Sequence, residues 1–326
     1  MPLAPKPGII PLRPLSLGDL FNGAVGYIRA NPKASLGLTT VVIVITQIVA
    51  LLLQLGPLIA MGAKVGTETG DEMSTPAVVG YVLSSLTGAV GTFLGGILLS
   101  GMLTVVVGRA VFGSKITVGE AWQRVRGRLL ALLGLSALEI FGVLLLAGVV
   151  GGVIAGIAVA GNGAAAAIVG IPLVLLLIAA LVYLYTALSF APMAVVLERR
   201  PIVASIRRSF GLVRNHLWRV LGIRLLASLV AGLIAGAVSV PFSLIGQVLL
   251  VGSTSTGAII ASTTLITIGA AIGQIITAPF TAGVDVLLYT DVRIRAEAFD
   301  LVLQIGATAG PADTATADNL WLAPPR

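Results

Sequence analysis

The sequence predicts an all-α integral membrane protein of six transmembrane helices, arranged as three parallel repeats. Three observations lead there: the composition, six long apolar stretches, and basic residues gathered on one side of them. Of 326 residues, 57% are hydrophobic and 10% charged, and the mean hydropathy is +1.07. A soluble domain carries about 25% charge and covers its surface with polar groups, so this composition argues against a water-soluble fold.

The apolar stretches run from Leu36 to Met61, Ala77 to Gly108, Leu129 to Ala160, Ala164 to Leu197, Val220 to Val251 and Gly257 to Tyr289. Each is long enough to cross about 30 Å of hydrocarbon as a helix. Lipid supplies no hydrogen-bond partners, so the backbone must satisfy itself, as a helix or a closed barrel. Barrel strands alternate apolar and polar residues, and runs such as Ile168 to Ala180 do not. Kinks are expected at Pro57, Pro172, Pro192, Pro241 and Pro279.

Charge sets the orientation. Nineteen of the 20 basic residues fall in residues 1–35, 109–128, 198–224 and the C-terminal segment, all on one side of the six spans. Lys64 alone falls on the other side, beside Glu68, Asp71 and Glu72. The positive-inside rule then places both termini in the cytoplasm of a multi-pass plasma-membrane protein. Residues 1–15 are proline-punctuated and lack the apolar core of a signal peptide, so the N-terminus is expected to stay uncleaved. The expected layout is a segment 1–15, a membrane domain 16–304 with repeats near 16–112, 113–200 and 201–304, and a disordered tail 305–326. The closing NLWLAPPR reads as solvated tail rather than docking peptide.

The repeat is visible in three stretches that align without gaps: Phe21 to Leu38, Val118 to Leu135 and Ile206 to Ile223, at offsets of 97 and 88 residues. In that register Arg29, Arg126 and Arg214 coincide, as do Gly37, Gly134 and Gly222. Apolar residues at helical spacing (Phe21, Val25, Ile28; Val118, Trp122, Val125; Ile206, Phe210, Val213) predict an amphipathic elbow helix before each hairpin. Arginines on the opposite face suit the headgroup layer. Arg29, Arg126, Arg128, Arg207, Arg208, Arg214 and Arg219 are the candidates for anionic lipid headgroups, with Trp122, Phe210 and Trp218 as interfacial anchors.

Inside the spans, polar residues either pair between helices or line a cavity. The candidates are Glu139, Asp285, Gln247, Gln274 and Tyr185. Asp285 is expected to pair with Arg224 or Arg109. GxxxG pairs at Gly91/Gly95, Gly152/Gly156, Gly232/Gly236 and Gly269/Gly273 allow close packing, within the chain or between copies. Cysteine is absent and His216 is the single histidine, which leaves no thiolate or paired-histidine metal site. HExxH, GxxxxGK[ST] and GxSxG are absent too, so no enzyme, cofactor or metal is expected. Nucleic-acid binding is set aside because the arginines lie on three membrane-apposed elbows without a soluble module.

The elbows, the stretch APMAVVLERRPIVASIRRSFGLVRNHLWRVLGI (191–223), the ending LLYTDVRIRAEAFDL (287–301) and the opening PLSLGDLFNGAVGYIRANP (14–32) carry a resemblance. They resemble bacterial, especially actinobacterial, polytopic membrane proteins labelled as the membrane domain of glycerophosphoryl diester phosphodiesterase. In that family, hydrolysis belongs to a separate fused domain, which is not expected here. The resemblance implies the six-span fold and a role near lipids, without catalysis. The expectation is therefore a non-enzymatic scaffolding, accessory or lipid-handling protein, with membrane lipids and a partner membrane protein or second copy as partners. The rival expectation is a transporter or channel with a polar pathway between the hairpins.

Overall fold

The computed structural model describes residues 8–11, 13–60, 75–160, 163–252, 255–302 and 319–322. Among them there is no strand, and six helices are long and apolar enough to cross a membrane. The chain runs α1 (Leu17–Ala30), a π turn (Lys33–Gly37), α2 (Leu38–Ala60), α3 (Thr75–Val111), α4 (Val118–Arg126), α5 (Leu129–Val159), α6 (Gly163–Ala187), α7 (Ala191–Val196), α8 (Ile202–Val213), α9 (Leu217–Gly252) and α10 (Thr256–Glu297). A 3-10 turn at Leu320–Leu322 closes it. Lys64, Glu68, Asp71 and Glu72, expected on the opposite side of the spans, lie outside the described residues.

Local chemistry accounts for the short helices. Ser16 and Thr117 cap α1 and α4 as capping boxes, each completed by an acid three residues on, Asp19 and Glu120, which satisfies two orphan amides at each start. Pro201 precedes α8, where a fixed φ suits the helix entry. The fourth apolar stretch breaks after Ala187 and resumes as α7 with Pro192 in its first turn. Ser209 of α8 repairs the break: its hydroxyl donates to the Ala187 carbonyl at 2.6 Å and accepts from the Phe190 amide at 3.1 Å.

The helix starts set a register different from the gap-free one. Residues 17, 118 and 202 open α1, α4 and α8, so the first two helices lie 101 residues apart rather than 97, one helical turn longer. In this register Leu20, Ala121 and Ser205 are all buried, as are Ala24, Val125 and Ser209. Arg126 then no longer coincides with Arg29 and Arg214.

The long helices pack as three hairpins, α2 on α3, α5 on α6 and α9 on α10, and α10 also touches α1, α2, α3 and α8. The GxxxG pairs divide between these contacts. The Gly91/Gly95 pair meets Ala50 and Thr46 of α2, and Gly269/Gly273 meets Phe242 and Ala235 of α9, whereas Gly152/Gly156 and Gly232/Gly236 face open space. Gly95 has no alternative, because an added Cβ would overlap the Thr46 side chain.

Burial is lopsided. The core gathers Leu15 to Leu38, the last turns of α3, α4, the start of α5, residues 187–197, the ends of α8 and the start of α9, and the last turns of α10. Beyond this packed end, every hairpin leaves large apolar side chains exposed, such as Ile45, Leu52, Leu86, Phe141, Leu176, Leu233 and Val248. The expectation of a wholly disordered, solvated tail is corrected at one segment. Trp321 is 3% exposed, stacked near Tyr289 and packed on Phe112 and Phe299, because these rings and Gly108 leave an apolar slot for it. The rest of the tail lies outside the described residues.

Candidate anion-binding site

The packed end holds two buried charge networks. In the first, Glu198 sits at the centre, its side chain 4% exposed. It accepts from Arg200 at 2.6 Å, from Arg208 at 3.1 Å and from the Tyr289 hydroxyl, with Arg293 at 3.5 Å. Glu297 joins by holding Arg208 and, at 3.1 Å, Arg293. Burial alone would push the Glu198 carboxyl up, but Arg293, the Tyr289 hydroxyl and Arg208 together hold it below the usual carboxylate range. In the second network, fully buried Asp291 accepts from the Leu15 amide at 2.7 Å and from Arg219 and Arg295 at 3.0 Å. Both arginines also donate to the Leu15 carbonyl. The chain entering α1 is thereby clamped to α9 and α10.

These networks engage two of the lipid-headgroup candidates. Arg208 is spent on Glu198 and Glu297, and Arg219 on Asp291 and Leu15, because buried carboxylates claim the nearest guanidiniums. The others divide by position. Arg29, Arg126, Arg207 and Arg214 are exposed on or beside α1, α4 and α8. Arg128 lines a cavity of about 300 Å³ together with Arg109, Arg124 and Arg199. Of the expected anchors, Trp218 and Trp122 are exposed, whereas Phe210 packs towards Tyr183.

The intramembrane candidates also divide. Arg224 pairs with Asp285 at 3.1 Å, as one of the two expected pairings had it, and lies 4.5 Å over the Tyr185 ring. Glu139, Tyr185 and Arg224 line a groove of about 560 Å³ whose remaining lining is mostly apolar, from α5, α6, α8 and α9. Gln274 and the exposed Gln247 lie off that groove. Sequence reasoning missed Glu198, Tyr289, Arg293 and Glu297. A usable signal was there: the last three recur at i, i+4 and i+8 on one face of α10, and Glu198 directly follows an apolar run.

A family model described as a domain of unknown function (DUF7847) matches residues 15–292. The chain belongs to this family. No curated protein and no solved structure matches it. The DUF7847 segment begins at Leu15 and ends one residue past Asp291, the two residues joined by the clamp. Trp321 and Glu297 fall beyond it.

Proposed function

We propose that this DUF7847 protein is a non-enzymatic, multi-pass protein of the bacterial plasma membrane that binds anionic lipid headgroups on its arginine-rich face. Its role on this reading is scaffolding, accessory or lipid-handling, in keeping with the resemblance to lipid-associated membrane domains. One observation carries the reading: exposed Arg29, Arg126, Arg207 and Arg214 border a body whose hairpins expose large apolar side chains. In water such apolar surface invites association. In a bilayer it meets acyl chains, and the arginines then lie at the depth of the phosphates. The positive-inside rule puts that face, and both termini, in the cytoplasm.

The same reading takes α1, α4 and α8 as the elbows of three parallel elbow-and-hairpin repeats. Its support is the recurrence of buried positions at equal distances from the three helix starts, and two capping boxes of the same design. A transporter or channel draws on the groove that gathers Glu139, Tyr185 and Arg224. It is the lesser reading, because beyond those three and Ser189 the lining is apolar, and Gln247 and Gln274 stand elsewhere.

The test is native mass spectrometry of the protein extracted in polymer nanodiscs. The triple variant R29Q/R126Q/R214Q is expected to lose anionic lipid that the wild type retains. Unchanged retention would contradict lipid binding on this face.

A further inference from the structure

We propose that the groove between α5, α6, α8 and α9 is a binding site for a membrane phospholipid with a zwitterionic, primary-amine headgroup of the phosphatidylethanolamine kind. Two opposite charges reach this groove without pairing. Glu139 stands about 15 Å along α5 from Leu129, at 1.5 Å per residue. Among the described residues it makes no hydrogen bond and no ion pair. Arg224 pairs through Nε with Asp285 at 3.1 Å and donates from Nη1 to the Tyr185 carbonyl at 3.4 Å, which leaves Nη2 unused. The charge of Arg224 is therefore balanced by Asp285, and that of Glu139 is left over. A carboxylate set in an apolar span is stable as an anion only where a cation and hydrogen-bond donors meet it. The chain bonds no donor to Glu139, and a ligand ammonium supplies charge and donors together.

The rest of the groove suits a phospholipid rather than a soluble amine. Leu181, Leu184, Ile206 and Phe210 give apolar walls to a volume of about 560 Å³, well inside the range of ligand sites. Leu138, Val143 and Tyr185 line it and are exposed, so it opens on the surface that meets acyl chains once the hairpins lie in a bilayer. Ile206 and Phe210 belong to α8, which also carries exposed Arg207, so the groove lies where an elbow meets the bilayer. In the bound state the ammonium donates to Glu139, and the phosphate accepts from Arg224 Nη2 and from the Tyr185 hydroxyl, which makes no hydrogen bond with the described residues. Ser189, in the same lining, has a buried hydroxyl without a partner, so the groove holds more hydrogen-bonding capacity than the chain satisfies. A primary ammonium is preferred to a trimethylammonium because only the former donates charge-assisted hydrogen bonds to a carboxylate. A headgroup with net negative charge is disfavoured, since Glu139 and Asp285 would repel it.

The site takes its bilayer placement from the reading above but none of that reading's arginines, so the two fail separately. The full chain is placed in nanodiscs with equal shares of phosphatidylethanolamine, phosphatidylcholine and phosphatidylglycerol of matched chains, and retained lipids are counted by native mass spectrometry. Wild type, E139Q, Gly142→Leu and R29Q/R126Q/R214Q are compared. Gly142 lines the groove, and a Cβ added there meets nothing within 4 Å, so leucine takes up open groove space and favours the helix. The wild type and the triple arginine variant should both retain phosphatidylethanolamine over phosphatidylcholine. E139Q should lose roughly tenfold of that preference, the worth of a hydrogen bond to a charged group, and Gly142→Leu should lose it altogether. If E139Q does not fold, Gly142→Leu decides. Equal retention of the two zwitterionic lipids by the wild type, or a preference that either variant keeps in full, would overturn the proposal.

Discussion

Trp321→Ala isolates the tail segment, and the structure gives its size. Burying a tryptophan removes about 200 Å² from water, which at about 25 cal/mol per Å² contributes about 5 kcal/mol. The contacts with Phe112, Phe299 and Tyr289, at centroid distances of 5.5, 5.3 and 6.3 Å, and the hydrogen bond from Arg293 to the Trp321 carbonyl at 3.3 Å add about 2 kcal/mol. Ordering the four residues Asn319 to Leu322 costs about 1.5 kcal/mol each. The net preference for the docked state is therefore about 1 to 2 kcal/mol, a docked excess of roughly tenfold. A tryptophan within an obligatory core would cost about 3 to 5 kcal/mol when cut to alanine. Here the alanine variant releases the tail instead, and the body loses only about 1 to 2 kcal/mol. Hydrogen exchange of residues 319 to 322 and equilibrium unfolding of W321A measure both quantities. Roughly tenfold protection in the wild type and the small stability loss are expected. Absence of protection, or a loss above about 3 kcal/mol, would refute the reasoning.

Two further outcomes follow from the packed end. Glu198→Gln leaves Arg208 and Arg293 with Glu297 as their shared carboxylate, and removing one member of a buried network costs about 3 to 5 kcal/mol. Because the folded state holds the Glu198 carboxyl below its ordinary value, its contribution is complete above about pH 4.3, where the unfolded group is ionised. It is lost as pH falls from there through the lowered value of the folded state. Wild-type unfolding midpoints should drop in that acid window and those of E198Q should change less; parallel curves would contradict this. Gly283→Ala puts a Cβ 2.6 Å from the Tyr27 ring and 3.1 Å from the Ala24 backbone where α1 crosses α10, an overpacking of about 1 to 3 kcal/mol. Gly26→Ala, on the same α1 but with nothing within 4 Å, should be neutral or stabilising by up to about 1 kcal/mol. Thermal midpoints of the pair check this, and equal midpoints would contradict it.

Much of the fold was legible because long apolar runs leave few choices. The six stretches lie within a few residues of the observed helices, except where α6 stops at Ala187 and α7 begins, and where α10 runs on past Tyr289 to Glu297. That break was hidden because its repair comes from Ser209, remote in sequence, whose hydroxyl completes the interrupted backbone. The starts of α1 and α4 lie one turn off the spacing of the matching arginines because the capping boxes of Ser16 and Thr117 fix where these helices begin. The charged residues were the least legible. Arg208 and Arg219 look like Arg207 and Arg214 in sequence, and only the tertiary proximity of Glu198, Glu297 and Asp291 turns them inward. Arg199 and Arg109 reach the cavity for the same non-local reason. Trp321 was missed because its slot is assembled from α3, α10 and the segment after α10, none of them near it in sequence.

Lipid binding at the arginine-rich face is tested most directly by counting retained lipids on the wild type and on R29Q/R126Q/R214Q, by native mass spectrometry from nanodiscs mixing phosphatidylglycerol and phosphatidylcholine. Each arginine near a phosphate layer contributes about 1 kcal/mol, so the triple variant should lose roughly a hundredfold of its preference for phosphatidylglycerol while its phosphatidylcholine count stays the same. Equal phosphatidylglycerol retention by the two proteins would contradict the assignment of this face to anionic lipid.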